Sequence, residues 1–189
     1  MKQAKLFGDI EAEPTVLAKL ELAEAQALAS QVESLIKPLC AKLEVVGSIR
    51  RQRPEIHDID FVVLASDANW KKITSQFKKP NIICAGNQLV KVNYPIADSL
   101  FQADLYRATE ETYGIVKLIR TGSGEHNIFL ANYAISKGFR LKFSEGLVTK
   151  DGQVLAGKTE ESVFEALGLP CMKPENREVV NGKPVWLKT

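Results

Sequence analysis

Residues 45–63 read VVGSIRRQRPEIHDIDFVV, and the fold turns on this stretch. A short apolar segment, "KLEVVGS", enters a Gly47-Ser48 turn that carries Arg50 and Arg51. A second apolar run, "IDFVVLA", has Asp58 and Asp60 at its head. Side chains alternate along a strand, so Asp58 and Asp60 share one face. Two adjacent carboxylates repel unless a cation or a proton intervenes. Spacing alone leaves two solutions open. One is a solvated pair at a strand start. The other is a hard cation such as Mg²⁺, which takes carboxylate and phosphate oxygens together. The turn favours the second. Backbone N–H groups and a hydroxyl at Gly47-Ser48 suit phosphate oxygens, as do the guanidinium donors of Arg50 and Arg51. Phosphate donors and carboxylates in strand–turn–strand order point to phosphoryl transfer.

Outward from this stretch, the pattern predicts a mixed α+β chain. Upstream, Leu22, Ala25, Leu28, Ala29, Val32, Leu35, Ile36 and Leu39 recur at helical spacing, and Pro38 should end that helix. Downstream, "SDANWKKITSQFKK" predicts a short helix with Trp70, Ile73 and Phe77 inward and Ser66 or Asp67 at its cap. "NIICAG", "QLVKVNYP" and "SLFQADLYRA" predict three strands. "ETYGIVKLIR" and "GEHNIFLANYAISKG" predict helices, the second capped by Ser123 and stopped by Gly138. "FRLKFSEGLVTKDGQVL" predicts a hairpin region turning at Asp151-Gly152, and "TEESVFEALG" a last short helix. These elements divide into an N-terminal arm (1–19), a palm-like α/β unit (20–120) and a small C-terminal α+β unit (121–189).

Composition sets bounds on the function. The 189 residues are 45% hydrophobic and 25% charged, with a net charge of +2, so any basic surface must be local. Cys40, Cys84 and Cys171 have no metal-site spacing and are odd in number, which suits reduced thiols in a cytoplasmic protein. The sequence has no apolar signal core after Met1 and no membrane-length apolar run, so the expectation is no membrane partner.

With these elements set out, "GSIRR…DID" resembles the nucleotidyltransferase signature of the family X DNA polymerases, the group of DNA polymerase beta. "ADLYRA" resembles the strand bearing that family's third carboxylate, here Asp104, and "RTGSGEHN" its Thr-Gly-Ser turn. "AISKGFRL" and "LGLPCMKPENRE" resemble its C-terminal segments, so the similarity runs from about residue 20 to about 180. The resemblance implies a nucleotidyltransferase palm with a mixed β-sheet and flanking helices, plus a thumb-like nucleotide-binding subdomain. It implies two Mg²⁺ ions, with Mn²⁺ as a substitute, held by Asp58, Asp60 and Asp104. It implies that Gly47, Ser48 and Arg51 hold triphosphate oxygens, and that the backbone of His57 stands where the family places a glycine N–H. Gly122 and Ser123 would shape the sugar pocket, and Asn127 would reach the base edge. The expected partners are dNTP and a primer-template or gapped duplex, with a monomer acting in DNA repair. The family's other DNA-binding domains have no counterpart here, and a partner protein would replace them.

Departures from the family set further expectations. Ile119-Arg120 replaces an aromatic pair, and Gln102 replaces an arginine that would orient Asp104. Ala131 and Ile128 stand where template-facing residues are expected, which implies low fidelity. The basic residues Lys71, Lys72, Lys78 and Lys79, and Lys137, Arg140 and Lys142, are candidates for a DNA surface. Two other functions stay open: a nucleotidyltransferase that needs no template, and an inactive nucleic-acid-binding module.

Overall fold

The computed structural model describes residues 17–77, 81–96, 99–180 and 183–184. Lys78, Lys79 and most of the expected arm lie outside the described residues. The chain begins with a two-residue strand β1 (Leu20–Glu21) and helix α1 (Leu22–Ile36). Glu21 and Glu24 close a capping box at the start of α1. Ala25, Ala29, Val32 and Ile36 then bury one stripe of the helix, and a 3₁₀ turn through Pro38 ends it.

Strand β2 (Lys42–Val45) leads into the single turn α2 (Gly47–Arg50), then β3 (Glu55–Ile56) and β4 (Asp58–Leu64). Helix α3 (Asp67–Gln76) starts at Ser66, whose hydroxyl accepts the Asn69 N–H, and buries Trp70 and Ile73 as the pattern predicts. Strands β5 (Ile82–Ala85), β6 (Leu89–Ile96) and β7 (Ser99–Ala108) complete a five-stranded sheet in the order β2-β4-β7-β6-β5. The central β4–β7 pair is parallel and the remaining pairs are antiparallel.

Residue parity decides what each face of this sheet does. Ile59, Phe61, Val63, Ala103, Leu105, Val90 and Val92 point to the face covered by α1 and α3, and join them in one apolar cluster. Each of the larger side chains among them, fully buried, contributes about 1.5–3 kcal/mol. The opposite parity points to the second face. There Val62, Tyr106 and Ala108 join a second cluster with residues of the C-terminal elements, while Asp58, Asp60 and Asp104 occupy the neighbouring positions.

Those C-terminal elements are α4 (Tyr113–Thr121), α5 (Gly124–Ser136), a three-stranded sheet of β8 (Phe139–Lys142), β9 (Gly146–Thr149) and β10 (Val154–Ala156), and α6 (Glu160–Ala166). Ser123 caps α5 by accepting the His126 N–H at 3.1 Å, as its sequence position predicts. A 3₁₀ turn at Pro174–Asn176 and the strand pair β11 (Val179–Val180) and β12 (Lys183–Pro184) follow; no sequence pattern foretold them. No described helix is long and apolar enough to cross a membrane. The fold is a mixed α+β architecture, with a mixed sheet and flanking helices, consistent with a polymerase beta-like fold.

Candidate active site

The parallel register sets Asp60 beside Asp104 and Asp58 beside Gln102, and antiparallel pairing sets Lys91 on the other side of Asp104. Cross-strand neighbours in register share a face. One carboxylate oxygen from each of Asp58, Asp60 and Asp104 therefore lies within 4.8 Å of the others. Asp104 is the deepest of the three, 1% exposed. Its Oδ1 accepts Gln102 Nε2 at 2.9 Å, and its Oδ2 accepts Tyr106 Oη at 2.9 Å and Lys91 Nζ at 2.5 Å. The expected loss of an orienting arginine is thus offset, because Gln102 still orients the carboxylate and Lys91 supplies the charge.

The electrostatics of the cluster are those of buried, crowded anions whose one ion-pair partner among the described residues is Lys91. Burial, then the Asp58 and Asp104 charges, push the Asp60 carboxyl up to about 8. Burial and the Asp104 charge also push Asp58 up. Burial and the same acids raise the Tyr106 phenol far above its ordinary value, so it remains a proton donor to Asp104.

The Gly47-Ser48 turn abuts this cluster. Gly47 adopts φ +63°, and a Cβ there would come 2.1 Å from Asp60 Oδ2. Only glycine lets the turn approach that closely. Ser48 Oγ is buried and has no hydrogen-bond partner among the described residues. Leaving a buried hydroxyl unpaired costs about 1–3 kcal/mol, which suits a group awaiting a ligand.

The two arginines part company. Arg50 is committed to the C-terminal elements rather than to solvent. It makes two hydrogen bonds to Glu160, at 2.8 and 2.6 Å, and a third to Thr121 Oγ1 at 2.6 Å. Arg177, 1% exposed, donates to Glu160 Oε1 at 2.5 Å. Burial drives the Glu160 carboxyl up, but Arg50 and Arg177 outweigh it and hold the group below its ordinary value. Arg51 donates from Nε to Glu178 at 3.0 Å and from NH1 to the Thr121 carbonyl at 2.6 Å. It stays near the cluster, since its charge lowers the Asp58 carboxyl against the burial that raises it.

The other expected residues fall on several elements. The His57 side chain is 63% exposed and pairs with Glu55 at 3.2 Å. Gly122 has no room for a side chain, because a Cβ would meet His126 Nδ1 at 2.7 Å and Asn127 Oδ1 at 2.8 Å. The Ser123 hydroxyl is engaged as the α5 cap. Asn127 Nδ2 donates to the Ile119 carbonyl at 2.7 Å, tying α5 to α4. Ile128 is 63% exposed. Ala131 lines a small pocket of about 160 Å³ with Leu118, Ile119, Asn127, Leu130 and Leu141. Among the candidates for a basic surface, Lys71 and Lys72 are exposed and Lys142 pairs with Glu145 at 3.0 Å.

Sequence reasoning missed Lys91, Tyr106, Glu160, Arg177 and Glu178. Lys91 has the parity of the carboxylates, but only the β6–β7 register reveals its partner. The Arg120 guanidinium lies 3.8 Å from the Tyr106 ring centroid and 4.7 Å from that of Phe143. Its charge pulls the Asp60 carboxyl down against the larger effects of burial and the neighbouring acids. Sequence marked Arg120 only as a departure.

Two comparisons with known proteins match parts of the chain. A family model described as DNA polymerase beta thumb matches residues 117–178. A curated relative, the DNA polymerase/3'-5' exonuclease PolX of Bacillus subtilis (strain 168), is 28% identical over 142 residues, which are 72% of this chain and 24% of that protein. The chain therefore spans about a quarter of the length of the relative it matches.

Proposed function

Because the chain is family X polymerase-like in partial form, we propose that it is a magnesium-dependent DNA nucleotidyltransferase. In this reading it adds a deoxynucleotide from a dNTP to a primer 3′-hydroxyl under template direction. The observation that carries it is the convergence of Asp58, Asp60 and Asp104 within 4.8 Å on one sheet face, with the Gly47-Ser48 turn packed against Asp60. The residues fit a divalent cation. The donors are hard oxygens, and burial, then the charges of Asp58 and Asp104, push the Asp60 carboxyl up to about 8.

Asp58, Asp60 and Asp104 would hold Mg²⁺, or Mn²⁺ in its place. When bound, such ions neutralise charge and polarise the phosphate oxygens. The rest falls to the chain itself. The Gly47 backbone and Ser48 Oγ donate to the terminal phosphates, with Arg51 and the His57 backbone beside them. Gly122, Ser123 and Asn127 line the sugar and the base edge. Asp104, oriented by Gln102 and Tyr106, would act beside the acceptor hydroxyl and favour its deprotonation. Gap-filling repair with low fidelity belongs to the same proposal, as does the assignment of residues 20–120 and 121–189 to palm and thumb-like units.

The test is extension of a labelled primer with Mg²⁺, on a one-nucleotide gap and on a single strand, with each dNTP offered singly. Template-matched addition on the gap, lost in Asp104→Ala, supports the reading. No Mg²⁺-dependent addition to any primer refutes it. A template-independent transferase is the second reading, favoured by the exposed apolar Ile128 and by Ala131 on the same helix. Addition that ignores the template would select it.

A further inference from the structure

Asp104 differs from its two neighbours in having a cation bound to it. Across the sheet, the row Asp60–Asp104–Lys91 alternates acid, acid and base on one face. Lys91 Nζ lies 2.5 Å from Asp104 Oδ2, and among the described residues Lys91 is the one cation in an ion pair with the three acids. Hydrogen bonding does not require it, because Tyr106 already donates to the same oxygen and Gln102 to the other. What Lys91 adds is charge. Its side chain is 32% exposed while the Asp104 side chain is 1% exposed, so the ammonium reaches inward from the rim and can withdraw to solvent. Arg120 is fixed differently, stacked between the Tyr106 and Phe143 rings.

We propose that Lys91 is a built-in counter-cation of the carboxylate cluster: it holds the site together when no metal is bound and competes with the metal for Asp104. This rests on the divalent-metal reading of the cluster. A buried carboxylate beside two others needs positive charge, and a flexible lysine supplies it reversibly where the family's arginine would supply it permanently. The same ammonium opposes an incoming divalent ion by direct Coulomb repulsion at close range. Lys91 is therefore a positioning residue whose removal acts in opposite directions on the metal-free protein and on metal affinity.

The experiment is calorimetric titration with Mn²⁺, together with metal-free thermal melts, on the wild type, Lys91→Met, Lys91→Gln and Asp104→Asn. Lys91→Met should melt lower without metal and bind Mn²⁺ at least ~10-fold more tightly, from the loss of a like charge within a few ångströms. A lysine that only braces the fold would lower the melting temperature and leave Mn²⁺ affinity unchanged or weaker, and that result overturns the proposal. Lys91→Gln keeps a hydrogen-bond donor without the charge, so it must also tighten Mn²⁺ binding even if Lys91→Met does not fold. Wild type that binds no Mn²⁺ would overturn the metal reading and this inference with it. Wild-type binding that is lost in Asp104→Asn yet not tightened by either Lys91 variant would overturn this inference alone.

Discussion

The carboxyl of Asp60 provides the sharpest prediction. Its pKa is raised from the ordinary 3.8 to about 8, first by burial and then by Asp58 and Asp104. A raised carboxyl means that the folded chain binds a proton that the unfolded chain has released, at every pH between those two values. The stability that the metal-free protein draws from this group should therefore fall as pH rises from about 4 to about 8 and level off above, at about 1.4 kcal/mol per pH unit, while His126, whose imidazole burial pushes down to about 4, gains stability with rising pH up to about 6.5 and opposes it. Between pH 5 and pH 7 the loss from this group alone is about 3 kcal/mol, or roughly 5–10 °C in melting temperature for a chain of this size. The upward shift of Asp58 adds to the same slope. At pH 7 Asp60 is therefore largely protonated, and a divalent ion must displace that proton. Calorimetric titration of the metal at pH 7 in two buffers of different ionisation enthalpy measures that release directly. Asp60→Asn should remove this group's part of the pH–stability slope and reduce the proton release. A binding enthalpy identical in both buffers, or a pH–stability slope between pH 5 and pH 7 that Asp60→Asn leaves unchanged, would refute the reasoning.

Three further outcomes follow from the same geometry. Glu160→Ala leaves Arg50 and Arg177 without their shared carboxylate and should cost roughly 3–5 kcal/mol in denaturant unfolding; a loss below about 1 kcal/mol would show that the pair is dispensable. Gly47→Ala drives a methyl into Asp60 Oδ2 at a left-handed backbone position and should cost at least about 1–2 kcal/mol in a thermal melt, with metal affinity reduced as well. Ala131→Arg adds a cation to the helix face proposed to meet the template, so log K for duplex binding should fall more steeply with log salt, by about one unit of slope; an unchanged slope would place the template elsewhere.

Local patterns carried much of the molecule. The apolar stripe of α1, the Ser66 and Ser123 caps and the alternation of β4 all repeat within a few residues, so their consequences follow from chain geometry alone. Asp58 and Asp60 share a face for that reason. Asp104 has no such local mark, and it entered through the resemblance of "ADLYRA" to a known strand. Its companions were beyond both routes. Lys91 meets Asp104 only because β6 pairs with β7 in one particular register, and a slip of one residue would send it to the opposite face. Arg50 and Arg51 sit side by side in a segment that suits phosphate. Yet Glu160 claims Arg50, while Thr121 and Glu178 hold Arg51, because the end of α4, 70 residues on, and Glu160 and Glu178, 110 and 127 residues on, are brought to α2. By itself, then, the sequence determined the elements, the parity of their faces and the kind of chemistry their side chains suit. The tertiary structure alone decided which charges meet, because strand register and the packing of distant segments are collective properties that no local window contains.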